Sequence, residues 1–206
     1  MMIDLYTAST SNGQRAAIML EESGLPYRVH RLDLRAGEQR RPEYLAVNPA
    51  AMIPAILDHD APGGAPLALS QSGAIVLYLA ERSGRLLPAD GVGRAHVLQW
   101  FMHACTDIAG ASSTIFLQSS MVPDKSAGNV SFFEQRLLRF FGNAEAQLAG
   151  REYLAGELSV ADVALYPVVA ARRALIEKAD GFGSLLQWAT RMAARQTVAK
   201  AMQICG

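Results

Sequence analysis

The stretch Ile3-Asp4-Leu5-Tyr6-Thr7-Ala8-Ser9-Thr10-Ser11-Asn12-Gly13 decides the fold. Its first four residues read as a short strand. The run from Ala16 to Glu22 reads as a helix that stops at Gly24, where glycine lets the chain leave the helix. Between strand and helix lie Ser9, Thr10, Ser11 and Asn12, all with side chains that hydrogen-bond. One such side chain is enough to cap a helix start. A strand-to-helix turn also aims backbone N–H groups and the positive end of the helix dipole at one spot. An anion is favoured there, and a thiol placed there loses its proton more easily. The segment is either a cap alone or a cap that doubles as a ligand site, and the turn by itself does not choose.

Outward from this turn, short strands alternate with helices. Tyr27 to Leu32 reads as a second strand, and Pro42-Glu43-Tyr44-Leu45 as a short helix with Pro in its first turn, ended by Asn48-Pro49. Ala55-Ile56-Leu57 and Leu67-Ala68-Leu69 form a hairpin across Pro62-Gly63-Gly64. Ser72 to Arg82 is an apolar helix closed by Gly84. The order is β-α-β-α-β-β-α. Beyond it the pattern is helical throughout, with segments expected near 94–118, 131–149, 160–177, 184–194 and 197–204. The expectation is an α/β domain over 1–84, a linker over 85–93 and an all-helical domain over 94–206.

Composition narrows the function. Half of the 206 residues are hydrophobic and 18% are charged, which suits a sizeable core. Lys+Arg and Asp+Glu are 19 each, so there is no basic surplus to neutralise a phosphate backbone, and nucleic-acid binding is not expected. The run Arg31, Arg35, Arg40 and Arg41 reads as a solvated face. No apolar run approaches the roughly 20 residues that cross a bilayer. The start has no basic n-region or long apolar stretch and does not read as a signal peptide. With two cysteines far apart, Cys105 and Cys205, a reducing cytoplasm is the expected location.

Three further segments carry signals. Pro54 in Asn48-Pro49-Ala50-Ala51-Met52-Ile53-Pro54 opens a strand, where its missing N–H is tolerable. A cis bond there would turn the backbone of Ile53 outward to pair with an extended peptide. Gln71-Ser72 opens a helix, and either caps it or holds a carboxylate. Ser159-Val160-Ala161-Asp162 fits a capping box and is read as structural. No Cys-x-x-Cys, phosphate loop or dinucleotide fingerprint occurs, and the four histidines are scattered, so no metal is expected.

Together these pieces resemble the glutathione transferase superfamily. The resemblance rests on Thr10-Ser11-Asn12-Gly13, Asn48-Pro49, Ile53-Pro54, Gln71-Ser72, the helix Ala74 to Glu81, and Ser159-Val160-Ala161-Asp162. The start Ile3-Asp4-Leu5-Tyr6, Gln39 with Arg41-Pro42-Glu43, and Leu98-Gln99-Trp100 look most like the bacterial Nu-type branch. Ser11 stands where that branch usually has Pro, and Gln71 where it usually has Glu.

The resemblance implies a thioredoxin-like N-terminal domain followed by an all-helical one. It implies a glutathione-dependent transferase or disulfide-bond oxidoreductase that binds glutathione or glutathione disulfide and needs no metal. Thr10 and Asn12, with Ser11 between them, would hold the sulfur. Gln39 would reach the glycyl end, Ile53 with cis Pro54 the cysteinyl backbone, and Gln71 with Ser72 the γ-glutamyl end. A small electrophile or disulfide would be the second substrate, bordered by Trp100, His103, Cys105 and Thr106, in a homodimer. The rival reading is a glutathione-binding or scaffolding protein of the same fold with little turnover.

Overall fold

The computed structural model describes residues 2–205. They divide into two compact units, one of residues up to 87 together with those from 193, the other of residues 88–192.

The first unit follows the expected order: β1 (Ile3–Thr7), α1 (Ser11–Ser23), β2 (Tyr27–Arg31), α2 (Pro42–Leu45), β3 (Ala55–Asp58), β4 (Leu67–Ser70) and α3 (Ser72–Ser83). The sheet order is β2-β1-β3-β4, with β1 parallel to β2 and β3 antiparallel to both β1 and β4. This mixed sheet with its helices is the thioredoxin-like arrangement. Gly24 and Gly84 end α1 and α3 in the left-handed conformation, at φ 69° and 67°. Side chains alternate along β1. Ile3, Leu5 and Thr7 are buried on one face; α1, which packs on β1, buries Ala16 to Leu20, and α3, which packs on β3 and β4, buries Ile75, Val76 and Leu79. Tyr6 lies on the other face, where its ring meets His30 and Tyr44.

Asp4 shares that second face. Its carboxylate meets His30 Nε2 at 3.0 Å, Arg28 Nε at 3.2 Å and His59 Nε2 at 2.7 Å. Burial pushes this carboxyl up, but the bonds from His59 and His30 and the charge of Arg28 outweigh it, and the net shift is downward. A depressed carboxyl contributes stability above its unfolded value of about 3.9, lost as pH falls through the folded value. Asp4→Asn is therefore expected to lower stability at neutral pH and to flatten the decline below about pH 4. Chemical denaturation across that range checks this; parallel curves for the two proteins would mean Asp4 does not supply the acid sensitivity.

The second unit is helical. α4 (Gly91–Met102) continues through a π-helical stretch, His103–Ile108, into α5 (Ala109–Phe116), followed by a second such stretch, Leu117–Met121. Then come α6 (Ala127–Leu148), α7 (Val160–Ala171), α8 (Arg173–Glu177) and α9 (Gly183–Ala193). α4 begins inside the stretch 85–93 read as linker. The centre is α7, buried without break from Val160 to Val169. The expected capping box is present there, and Asp162 does more than cap. Its Oδ2 accepts from the Ser159 N–H and hydroxyl, each at 3.0 Å, and its Oδ1 accepts from the Leu154 N–H at 3.1 Å and from Trp188 Nε1 at 3.0 Å. Burial pushes this carboxyl up, and these donors pull it back only in part.

The last helix, α10 (Gln196–Cys205), packs on α1 in the first unit, although the sequence reading groups it with the helical domain. Its stripe Val198, Ala201 and Cys205 is buried. Arg195 holds the Glu22 carboxylate at 2.9 and 3.0 Å, Thr197 donates to the same group, and Lys200 pairs with Glu21 at 2.8 Å.

Candidate functional site

Register brings the site together. Tyr6 on β1 pairs with Ala55 on β3, which pairs with Ser70 on β4. The turn after β1, the Ile53-Pro54 segment before β3 and the Gln71-Ser72 corner after β4 therefore meet at one end of the sheet. β2 runs parallel to β1, so the segment carrying Gln39 leaves from that end too. Four pieces separated in sequence share one edge because strand polarity puts them there.

At the first turn Thr10 is the N-cap of α1, extended at φ −136°, ψ 156°, and its Oγ1 accepts from the Gly13 N–H at 3.1 Å. Thr10, Ser11 and Asn12 are partly exposed. Asn12 Oδ1 accepts from the Ser72 hydroxyl at 3.2 Å, which ties the start of α1 to the start of α3. Both helix starts lack acidic residues in their first turns, so neither positive end is neutralised from within. The spot between them suits an anion.

The corner before α3 is strained. Gln71 has φ 71° and ψ 113°, a conformation that costs a non-glycine residue on the order of 1–3 kcal/mol and is retained where the surroundings enforce it. Its side chain is exposed, while Ser72 beside it is buried. The Ile53-Pro54 peptide is cis. The chain before it is pinned at the Met52 carbonyl, which accepts from Asn48 Nδ2 at 2.6 Å and from the Tyr44 hydroxyl. Burial pushes the Tyr44 phenol up, which keeps the proton it donates there. Gln39 sits in a 3-10 turn, Glu38–Arg40. Its Nε2 donates to the Leu34 carbonyl at 3.4 Å, and its Oε1 is buried with no hydrogen-bond partner.

Sequence reasoning does not single out Arg15, yet it belongs to this cluster. It is 1% exposed, and its Nη1 lies 2.9 Å from Asn12 Oδ1 and 3.5 Å from Ser72 Oγ. The available signal was its spacing, three residues after Asn12 on one helix face, together with a charge set into an apolar run.

The Cys205 thiol is buried 3.6 Å from Thr7 Oγ1, and burial pushes it up, so it is not activated as a thiolate. In the helical unit, Trp100, His103, Thr106, Asp107 and Asn143 line a groove of about 520 Å³. Trp100, His103 and Thr106 share this groove, while Cys105 is not part of its lining. Among the described residues no group of three or more His, Cys, Asp or Glu is placed to hold a metal ion, and no helix is long and apolar enough to cross a membrane.

A mixed thioredoxin-like sheet without a Cys-x-x-Cys pair, followed by an all-helical unit, is the class of fold this chain builds. The model of the glutathione S-transferase N-terminal domain matches residues 11–82, and that of the C-terminal domain matches residues 111–203. The chain belongs to the glutathione S-transferase family, as the sequence motifs imply. It is 35% identical over 204 residues to the disulfide-bond oxidoreductase YfcG of Escherichia coli K12, covering 98% of this chain and 94% of the relative. A glutathione transferase family member from Pseudomonas fluorescens, solved with two glutathiones bound, superimposes with a TM-score of 0.90 at 33% identity, covering 97% of this chain and 92% of the other. A glutathione transferase from Pseudomonas putida, solved with one glutathione disulfide per subunit, gives 0.91 at 32% identity, covering 100% and 92%.

Proposed function

We propose that this transferase-type enzyme binds glutathione, or glutathione disulfide, across the sheet edge and works through the peptide's own sulfur. The observation that carries the reading is the junction of Asn12 with Ser72, which sets two uncompensated helix starts side by side. Thr10 and Asn12, with Ser11 between them, hold the sulfur as thiolate. Ile53 and Pro54 pair with the cysteinyl backbone. Gln71 and Ser72 take the γ-glutamyl end, and Gln39 takes the glycyl end.

In the reductive direction, one glutathione thiolate attacks a sulfur of the substrate disulfide. The leaving thiolate departs with the bonding pair and takes a proton. A second glutathione thiolate then attacks the glutathionyl sulfur of the mixed disulfide, giving glutathione disulfide and the second substrate thiol. Two glutathiones lose the two electrons that the substrate gains, and no protein cysteine takes part. The same thiolate can instead attack the carbon of a small electrophile, whose leaving group departs with its electron pair, a detoxifying conjugation. A homodimer in a reducing cytoplasm completes the reading.

The decisive variants are Thr10→Ala and Asn12→Ala. Each removes a group that favours the anion, and each is expected to lower glutathione-dependent turnover of 2-hydroxyethyl disulfide by about 100-fold, at the low end of the range for loss of one preorganised donor. Unchanged rates in both would falsify the placement of the sulfur. Wild-type protein that binds glutathione by calorimetry yet turns over neither this disulfide nor a chloronitrobenzene would instead be a binding or scaffolding protein.

A further inference from the structure

Arg15 is a guanidinium set almost wholly inside the first unit, in contact with two residues of the proposed site. Its effect on Asn12 follows from what each group can do. A guanidinium only donates hydrogen bonds and stays charged at any working pH. The group of Asn12 that faces it at 2.9 Å must therefore be the carbonyl oxygen. The Ser72 hydroxyl donates to the same oxygen at 3.2 Å, so the Asn12 oxygen takes two donors from the protein side. The amide hydrogens on Nδ2 are then what Asn12 offers to a ligand. Turned over, the amide would set its hydrogens against the guanidinium and present an oxygen to a thiolate, unfavourable at both ends. The Ser72 Oγ, 3.5 Å from the Arg15 nitrogen, extends this hold from the start of α1 to the start of α3.

Resting on the glutathione reading above, we propose that Arg15 is a positioning residue for the thiolate. It fixes the Asn12 carboxamide with its oxygen inward and its N–H groups outward, and it braces the sulfur-binding turn against the Ser72 corner. Arg15 touches no substrate in this role; it acts through Asn12.

The test is a titration of enzyme-bound glutathione, followed by thiolate ultraviolet absorbance, with kcat and KM measured across pH. Wild type is compared with Arg15→Lys, Arg15→Met, Asn12→Ala and the double variant Asn12→Ala/Arg15→Lys. Lysine keeps a donor and a charge but lacks the planar, rigid guanidinium that fixes the direction in which Nη1 donates to Asn12 and Ser72. Arg15→Lys is expected to shift the bound thiol upward by about one pH unit, which lowers the rate about tenfold on the acid limb. The loss should vanish above about pH 9, where the thiol ionises unaided, with KM for glutathione nearly unchanged. In the Asn12→Ala background, Arg15→Lys should add little. Should Arg15→Met fail to fold, Arg15→Lys alone decides. An unmoved titration in the folded Arg15 variants overturns the positioning role while leaving the glutathione reading intact. Full additivity with Asn12→Ala overturns it as well, because Arg15 would then act on the sulfur directly. A wild-type protein that binds glutathione without lowering its thiol removes the thiolate reading, and this proposal with it.

Discussion

Asp162→Ala is expected to be the most destabilising single substitution in the helical unit. The wild-type carboxylate satisfies four donors, from the Leu154 and Ser159 N–H groups, the Ser159 hydroxyl and the Trp188 indole. Asp162, Leu154 and Trp188 are all fully buried. Alanine leaves these donors without a partner in a place water does not reach, and each buried unmade bond costs about 1–3 kcal/mol. Relaxation recovers part of that sum, so the expected loss is about 4–5 kcal/mol. Unfolding followed by Trp fluorescence should show the midpoint falling on the order of 10 °C or more. Asp162→Asn keeps one acceptor oxygen and turns an N–H₂ group toward donors, so it should fall between wild type and Asp162→Ala. An alanine variant within about 1 kcal/mol of wild type would mean that Asp162 is no more than an ordinary helix cap.

That network was half legible in the sequence. Ser159 and Asp162 announce a capping box because its parts lie three residues apart on one helix. Trp188 joins from a different helix, and nothing local marks it. The same division runs through the fold. Gly24, Gly84 and the Pro62-Gly63-Gly64 turn are local signals, and the element order of the first unit follows them. The destination of α10 is not local: an apolar stripe such as Val198, Ala201 and Cys205 fits many surfaces, and its pairing with α1 depends on Glu22 and Arg195 meeting across the chain. In the site, Thr10 and Asn12 stand out because four hydrogen-bonding residues follow one another. Gln71 gives no hint of a positive φ, because glutamine is not a residue that normally adopts it. Arg15 stays hidden for a related reason. Charged side chains on a helix are most often solvated, and only the packed structure turns this one inward.

Gly13→Ala should damage both the fold of the first unit and the site. Gly13 lies in the first turn of α1 with no room for a side chain. A Cβ there would come within 2.4 Å of the Ala8 carbonyl oxygen and 2.4 Å of Thr7 Oγ1. The Ala8 oxygen cannot swing away, because it is backbone and already accepts from the Thr10 N–H at 2.7 Å. Thr7 is fully buried at the end of β1 and has little freedom either. The helix start must therefore lift from the strand end, which strains the Thr10 turn and stretches the bond from the Gly13 N–H to Thr10 Oγ1. Overpacking of this kind costs about 1–3 kcal/mol, and loss of the cap adds about 1 kcal/mol. A melting point lower by on the order of 10 °C is expected. The functional loss should be larger than the stability loss implies. On the proposed function Thr10 and Asn12 hold the sulfur from this turn, and misplacement by 1 Å at a reacting centre can cost about a hundredfold. Glutathione-dependent turnover measured well below the melting point separates the two effects. A variant that is destabilised but retains wild-type kcat/KM would show that the turn can shift without carrying the sulfur site with it.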